Sequence, residues 1–256
     1  MGSIPIFDEA YLRRKVNEYL VQYCAFMNIE EFPNFNIDFY TINLELVDSI
    51  GFGASAQAQY LPKEDRHILK VCRNFEVHKY ILFHEFTHIL DAEVYAKKDS
   101  AKYMYESGYT EYHASQVEFM CLLEAKSISD KNISFCSENT ISTLTGNQKI
   151  GDYVEGKHEL AVALMSREDY PKDIEMLKSA VGALYNYWGL RSICEMYNQS
   201  YKENVDNTAI KKVIDPYLFE VTNAFMDGFF DKSKVELSFV PYSNIVMPVA
   251  TKLCGK

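Results

Sequence analysis

His84-Glu85-Phe86-Thr87-His88 is the stretch of this chain whose residue types and spacing are best suited to chemistry. It is an HExxH pattern set in an apolar segment, with Tyr80-Ile81-Leu82-Phe83 before it and Ile89-Leu90 after it. On a helix, two histidines four residues apart lie one above the other on the same face. Both imidazoles can then reach a single Zn²⁺ at about 2.0 to 2.1 Å. Glu85 sits one residue round from the first histidine. From there it can take a proton from a water that the metal polarises, without competing as a ligand. A buried helix with two core histidines and a surface glutamate would give the same spacing without chemistry, but it would leave two imidazoles to be satisfied in apolar surroundings.

A catalytic zinc site needs a third protein ligand. The metzincin spacing places a glycine three residues after the second histidine and a further histidine six residues after it. Asp91 and Val94 stand there, so that subclass is excluded. Downstream, the run from Gly108 to Leu123 reads as a second helix starting near Thr110, with Ala114, Val117 and Cys121 at core spacing. It carries Glu111 in its first turn and His113 two residues later. Two residues along a helix is about 200°, so Glu111 and His113 cannot both face one metal. Either could be the third ligand. Tyr109, Tyr112 and His113 are also candidates to hydrogen-bond a developing oxyanion. The polar, tyrosine-rich stretch from Tyr95 to Tyr109 otherwise reads as a surface connection.

An HExxH followed some twenty residues later by a helix carrying Glu-x-x-Ala resembles the gluzincin metallopeptidases, and here Glu111 and Ala114 stand in that relation. The preceding Ala58-Gln59-Tyr60-Leu61-Pro62 and His67-Ile68-Leu69-Lys70-Val71-Cys72 make the run from about 50 to 127 similar to the compact ImmA/IrrE metallo-endopeptidases of bacteria and their mobile elements. The resemblance implies that Glu111 is the third zinc ligand. It also implies that Ser115, four residues on, is the polar side chain that supports a zinc-binding histidine. In gluzincins an edge strand beside the metal commonly pairs with an extended substrate backbone, and the segment around 54–73 is the corresponding hairpin.

The elements that must position these residues follow from apolar periodicity and turn chemistry. Asn74 as N-cap and Glu76 in the first turn predict a helix over 75–96, which contains neither Pro nor Gly. Residues 9–29 place Leu12, Val16, Tyr19, Leu20, Tyr23 and Met27 on one stripe, the pattern of an amphipathic helix covering a sheet. Phe35 to Val47 reads as one or two strands, with Phe35, Ile37, Phe39 and Thr41 on one face and Leu44 and Leu46 following. Gly51-Phe52-Gly53 is a turn that lacks the rest of a phosphate loop. Residues 54–61 and 67–73 form an antiparallel pair joined by Pro62-Lys63-Glu64-Asp65-Arg66.

Residues 128–151, rich in Ser, Thr and Asn, form a loop region and the expected boundary. Beyond it, 157–166, 171–187, 189–199 and 206–229 have helical spacing, with Pro171 suited to a first turn, Gly182 and Gly189 as weak points and Pro216 as an interruption. The tail from Val235 to Val249, apolar and holding Pro241 and Pro248, reads as β-like and fit to pack as an edge. His158-Glu159 begins like the zinc motif but lacks a second histidine.

Totals bound the rest. The 256 residues make one large domain or two small ones, and 48% apolar residues are ample for a packed core. A formal net charge of −10 with no Lys/Arg run argues against a nucleic-acid partner. Six cysteines without a C-x-x-C pair point to free thiols in a reducing compartment. No basic and apolar leader opens the chain, and no run reaches the ~18 apolar residues of a membrane span. A cytoplasmic protein without a membrane partner is expected.

These readings converge on an α+β fold: a small twisted sheet packed on the HExxH helix and a second ligand helix, with a mostly helical C-terminal region. The expected division is a metallopeptidase core over 1–127 and a helical region over 128–256. The expected function is a zinc metalloendopeptidase with one Zn²⁺, a peptide or protein substrate docked by strand addition, and Glu85 as general base. The alternative is a non-catalytic zinc-binding protein, regulatory or phage-borne, whose fourth metal position is closed by His113 or a Cys.

Overall fold

A computed structural model describes residues 6–42, 55–198 and 200–254. The strand continuation through Leu44 and Leu46, the Gly51-Phe52-Gly53 turn and the first five residues lie outside the described residues. The chain is α+β, with a small mixed sheet and eight α-helices among the described residues. No helix among them is long and apolar enough to cross a membrane. It divides into two compact units, one comprising Met1–Tyr103 with Glu124–Lys131 and the other Met104–Leu123 with Asn132–Lys256.

The first unit opens with α1 (Glu9–Met27), started by Asp8, whose side chain accepts from the Tyr11 backbone N–H, and closed by Asn28 in the left-handed region. Leu12, Val16, Tyr23 and Phe26 are its buried face, close to the stripe read from the sequence. Three strands follow: β1 (Phe35–Tyr40), β2 (Ala56–Leu61) and β3 (Arg66–Cys72). Their order is β1-β3-β2, with β1 parallel and β2 antiparallel to β3. The expected hairpin is therefore present over Ala56–Cys72, and among the described residues β2 is an edge strand. Phe35 and Phe32 turn inward onto Phe86, and Tyr23 meets Phe32, Phe83 and Phe86 edge to face at 5.3 to 5.7 Å.

The HExxH motif lies on α2 (Lys79–Asp91), which passes directly into a π-helical turn, Ala92–Ala96. The helix is shorter at its start than the pattern predicts. Asn74 does not cap it: its side chain accepts from the Ile42 backbone N–H at 2.8 Å, and His78 takes the N-cap position without a side-chain bond. Glu76 is likewise engaged elsewhere, accepting from the Tyr11 hydroxyl.

The second unit is built on α3 (Ser100–Leu122) from Met104 onward, with α4 (Ile150–Met165), α5 (Ile174–Tyr197), α6 (Thr208–Val213), α7 (Pro216–Phe225) and α8 (Val235–Cys254). Its core holds Trp188, Tyr109, Tyr112, Tyr185, Tyr187 and Phe219, each no more than 1 or 2% exposed. A two-stranded hairpin, β4 (Thr140–Thr143) and β5 (Gly146–Lys149), stands where a loop is predicted.

Three corrections have physical reasons. The second motif helix starts ten residues before Thr110, so most of the supposed connection from Tyr95 to Tyr109 is helical; Asp99 provides the missing start signal by accepting from the Ala101 and Lys102 backbone N–H groups. Residues 174–197 form one helix, α5, in which Gly189 lies where α3 packs tightly on it and Gly182 lies in ordinary contact with Glu111, so both serve as contacts, not as breaks. It begins after Pro171, at the N-cap Asp173. The tail is helical and not β: Val235, Ser238, Tyr242 and Ile245 recur at helical spacing and are all buried, which outweighs the cost of Pro241 and Pro248 inside α8. Pro216 does restart the chain, at the first turn of α7, where its missing N–H is no loss.

Candidate metal centre

α2 is amphipathic in an unusual sense, because both of its faces are occupied. Phe83, Phe86 and Thr87 face α1, where the Tyr23 hydroxyl is hydrogen-bonded to Thr87 Oγ1 at 3.1 Å and Thr87 donates back to the Phe83 carbonyl. That packing fixes the rotation of the helix and turns His84, Glu85 and His88 the other way. His84 and Glu85 are buried and His88 is partly so. The two histidine Nε2 atoms converge to 3.1 Å. Two nitrogens sharing a tetrahedral ion at about 2.0 to 2.1 Å each would stand ~3.3 Å apart, close to the 3.1 Å of this hydrogen-bonded pair, so one metal ion could take both.

Glu85 is held by the neighbouring strand. The Ala58 backbone N–H donates to Glu85 Oε2 at 2.5 Å. Tyr40, at the end of β1, is pushed up to about 12, mainly by burial and further by the negative charges of Cys72 and Glu85.

In the second unit, Glu111 lies on α3 with its carboxylate against α5. A Cβ added at Gly182 would sit at ordinary contact distance, 3.6 Å, from Glu111 Cδ and Oε1, so the carboxylate lies beside the Gly182 backbone. Tyr242, on α8, is pushed up to about 12 by burial and then by the charge of Glu111. Among the described residues, His84, His88 and Glu111 form the group of metal-binding side chains whose ligand atoms all lie within 4.8 Å of one another. No cysteine joins it.

No family model, curated protein or solved structure matches the chain. Its chemistry must be argued from its own residues.

The remaining sequence candidates have structural employment. His113 is buried and stacks on Phe230 with ring centroids 3.9 Å apart and planes 14° from parallel. The Tyr112 hydroxyl donates to the Gly228 carbonyl, and burial raises its ionisation far above the ordinary tyrosine value. The Tyr109 hydroxyl accepts from the Asp231 N–H and donates to the Asp231 carbonyl. Gln116 adds two bonds to the same segment, to the Gly228 carbonyl and from the Phe230 N–H. One face of α3 therefore straps down residues 228–231. The Ser115 hydroxyl is bonded to Asn186 on α5. A satellite stack of Tyr60 on His67, 4.4 Å apart, closes the far end of the β2–β3 hairpin, with His67 Nε2 bonded to Glu93.

Sequence reasoning missed Ala58, Gly182, Tyr40 and Tyr242. The first acts through a backbone N–H and the second lies beside the Glu111 carboxylate, neither of which a residue pattern reports. The other two come from distant parts of the chain. A polar surface cleft of about 560 Å³, lined in part by Arg13, Asn17, Asn36 and Asp38, includes none of the predicted site residues.

Proposed function

We propose that the chain is a zinc-dependent metallopeptidase of gluzincin type, which holds one Zn²⁺ on His84, His88 and Glu111 and hydrolyses peptide bonds in a peptide or protein substrate. The observation that carries this reading is the gathering of two imidazoles and one carboxylate within 4.8 Å, on residues that include an intact HExxH. Two histidines and a glutamate are the donor set of catalytic zinc sites that keep a fourth position open. When bound, the ion supplies Lewis acidity toward the scissile carbonyl and toward water.

The protein's own groups divide the remaining work. His84 and His88 present Nε2 atoms from one helical face, and the packing of Phe83 and Phe86 on α1 keeps that face turned toward the site. Glu85, next to His84 but bonded to β2, takes the proton of the attacking water and delivers it to the leaving amine. An extended substrate pairs with the outer edge of β2, which gives affinity with modest demands on sequence. Five described cysteines are outside disulfides, which fits a cytoplasmic protein.

The decisive experiment combines metal analysis with one substitution. Purified protein should contain one zinc per chain, lose it and its peptidase activity to a chelator, and regain both on zinc addition. Glu85→Gln should keep the zinc and lose about 10²-fold or more in kcat. A Glu85→Gln protein retaining more than about a tenth of the activity would refute the assigned role.

A further inference from the structure

The register of the hairpin fixes which backbone groups of β2 face outward. Cys72 N–H donates to the Ser55 carbonyl at 2.9 Å, so Ser55 and Cys72 stand opposite each other at a hydrogen-bonded position of the ladder. In an antiparallel ladder such pairs alternate, so with Ala58 opposite Leu69 and Tyr60 opposite His67, the N–H and C=O groups of Ala58 and Tyr60 point away from β3. These are the groups an added strand would use. Both N–H groups are engaged by side-chain oxygens: Ala58 N–H donates to Glu85 Oε2 at 2.5 Å, and Tyr60 N–H donates to the Tyr103 hydroxyl at 3.2 Å. The Tyr103 ring is held there edge-on to Tyr60, 5.4 Å away, and packs on the cluster of Tyr60 with Ala92 and Ala96 of the π-helical turn.

We propose that Glu85 and Tyr103 form a removable cover on the edge of β2, and that an extended peptide displaces both oxygens by offering its own carbonyls to Ala58 and Tyr60. The inference rests on the peptidase reading only in treating that peptide as substrate. Each exchange replaces one N–H···O bond by another, neutral for neutral at Tyr60 and a carbonyl for a carboxylate at Ala58, so the Tyr60 position is the cheaper to open. The consequence at Ala58 is specific to the catalytic side chain. In the described structure Glu85 is bonded to Ala58. A peptide carbonyl that takes the Ala58 N–H removes that bond from the carboxylate next to the metal ligands, so the general base loses its tie to β2 only when a backbone lies alongside it. Tyr60 is two residues, about 6.8 Å, further along the strand. Tyr103 therefore penalises only ligands long enough to reach that second position, and it sets a length preference.

The test uses the full chain, both as metal-free protein and loaded with zinc. Binding of a capped, fully randomised octapeptide mixture to the metal-free protein is measured beside that of capped dipeptides. Tyr103→Phe keeps the ring and removes the competing oxygen. It should tighten octapeptide binding about two- to tenfold, leave dipeptide binding unchanged, and lower KM for the octapeptides in the zinc-loaded protein by the same factor. Glu85→Ala clears Ala58 N–H and should tighten octapeptide binding to the metal-free protein by a similar factor. A merely structural role for Tyr103 would weaken binding or leave it unchanged. The cover is overturned if neither variant binds octapeptides more tightly than the parent, or if the parent and both variants bind none. If the binding results are as expected but the zinc-loaded parent cleaves nothing, the cover stands and the peptidase reading falls.

Discussion

Glu111 and His113 sit two residues apart on α3 and differ completely in what surrounds them. Glu111 has its carboxylate against the bare backbone of Gly182 and belongs to the group with His84 and His88. His113 is packed flat on Phe230. Glu111→Gln should therefore lower zinc affinity strongly, because an amide oxygen is a poorer partner for Zn²⁺ than a carboxylate. His113→Gln should leave zinc stoichiometry unchanged and cost stability instead, about 0.5 to 1.5 kcal/mol for the lost ring pair beyond its buried area. Equilibrium dialysis against buffered zinc and a urea melt separate the two effects. Full zinc content in Glu111→Gln together with loss of zinc in His113→Gln would make the site a three-histidine one. Ser115 bonds to Asn186, so Ser115→Ala should act on the α3–α5 contact first and on zinc only through it.

At the scale of elements, the closest approach in the second unit is α3 on α5. A Cβ at Gly189 would lie 2.5 Å from the Tyr112 carbonyl oxygen and 2.9 Å from Ser115 Cβ, distances that force a backbone to shift. Gly189→Ala should destabilise the protein by about 1 to 3 kcal/mol, the usual cost of overpacking. Gly182→Ala is the control. Its Cβ would make ordinary contacts at 3.6 Å with Glu111, and the helix gains from losing a glycine, so it should be neutral or stabilising by about 0.5 to 1 kcal/mol. Midpoints of denaturant unfolding decide between them, and equal effects at the two glycines would show that α3 and α5 do not pack as described. The buried Arg191 serves the same unit, donating to the Asn223 and Met226 carbonyls and so holding the end of α7 to α5.

For the molecule as a whole, burial of acidic hydroxyls and thiols predicts how stability depends on pH. Tyr40, Tyr170, Tyr242 and Cys194 are each pushed up to about 12, in every case mainly because burial penalises the charged form. In the unfolded chain the tyrosines ionise near 10 and the thiol near 9. Above those values the unfolded state releases protons that the folded state still holds, so unfolding is favoured as pH rises. The contribution of these groups is complete below about pH 9 and is lost progressively toward pH 12. The melting temperature should be flat from pH 7 to 9 and fall steeply between pH 10 and 12. Tyr170→Phe, whose only cause of shift is burial, should flatten part of that fall. A melting temperature that holds steady to pH 12 would contradict the burial of these groups.

The sequence by itself determined the parts governed by local rules. HExxH needs only the 3.6-residue period to bring His84 and His88 onto one face, and their Nε2 atoms do meet at 3.1 Å. The β2–β3 hairpin was legible from its polar turn and flanking β-formers, and α1 from its stripe. Elements whose meaning depends on partners were not legible. Val235 to Val249 is apolar enough for either period, and only the burial of Ser238, Tyr242 and Ile245 on one side makes it a helix. Asn74 resembles a cap until Ile42, thirty-two residues away in sequence, claims its side chain. Tertiary structure alone decided that Tyr109, Tyr112 and His113 hold residues 228–231, that Glu111 lies beside the Gly182 backbone, and that Glu85 leans on a backbone N–H of β2. The reason is common to all three: a pattern in one segment records which side chains share a face, whereas a bond or a contact between segments distant in sequence exists only once the chain has brought them together.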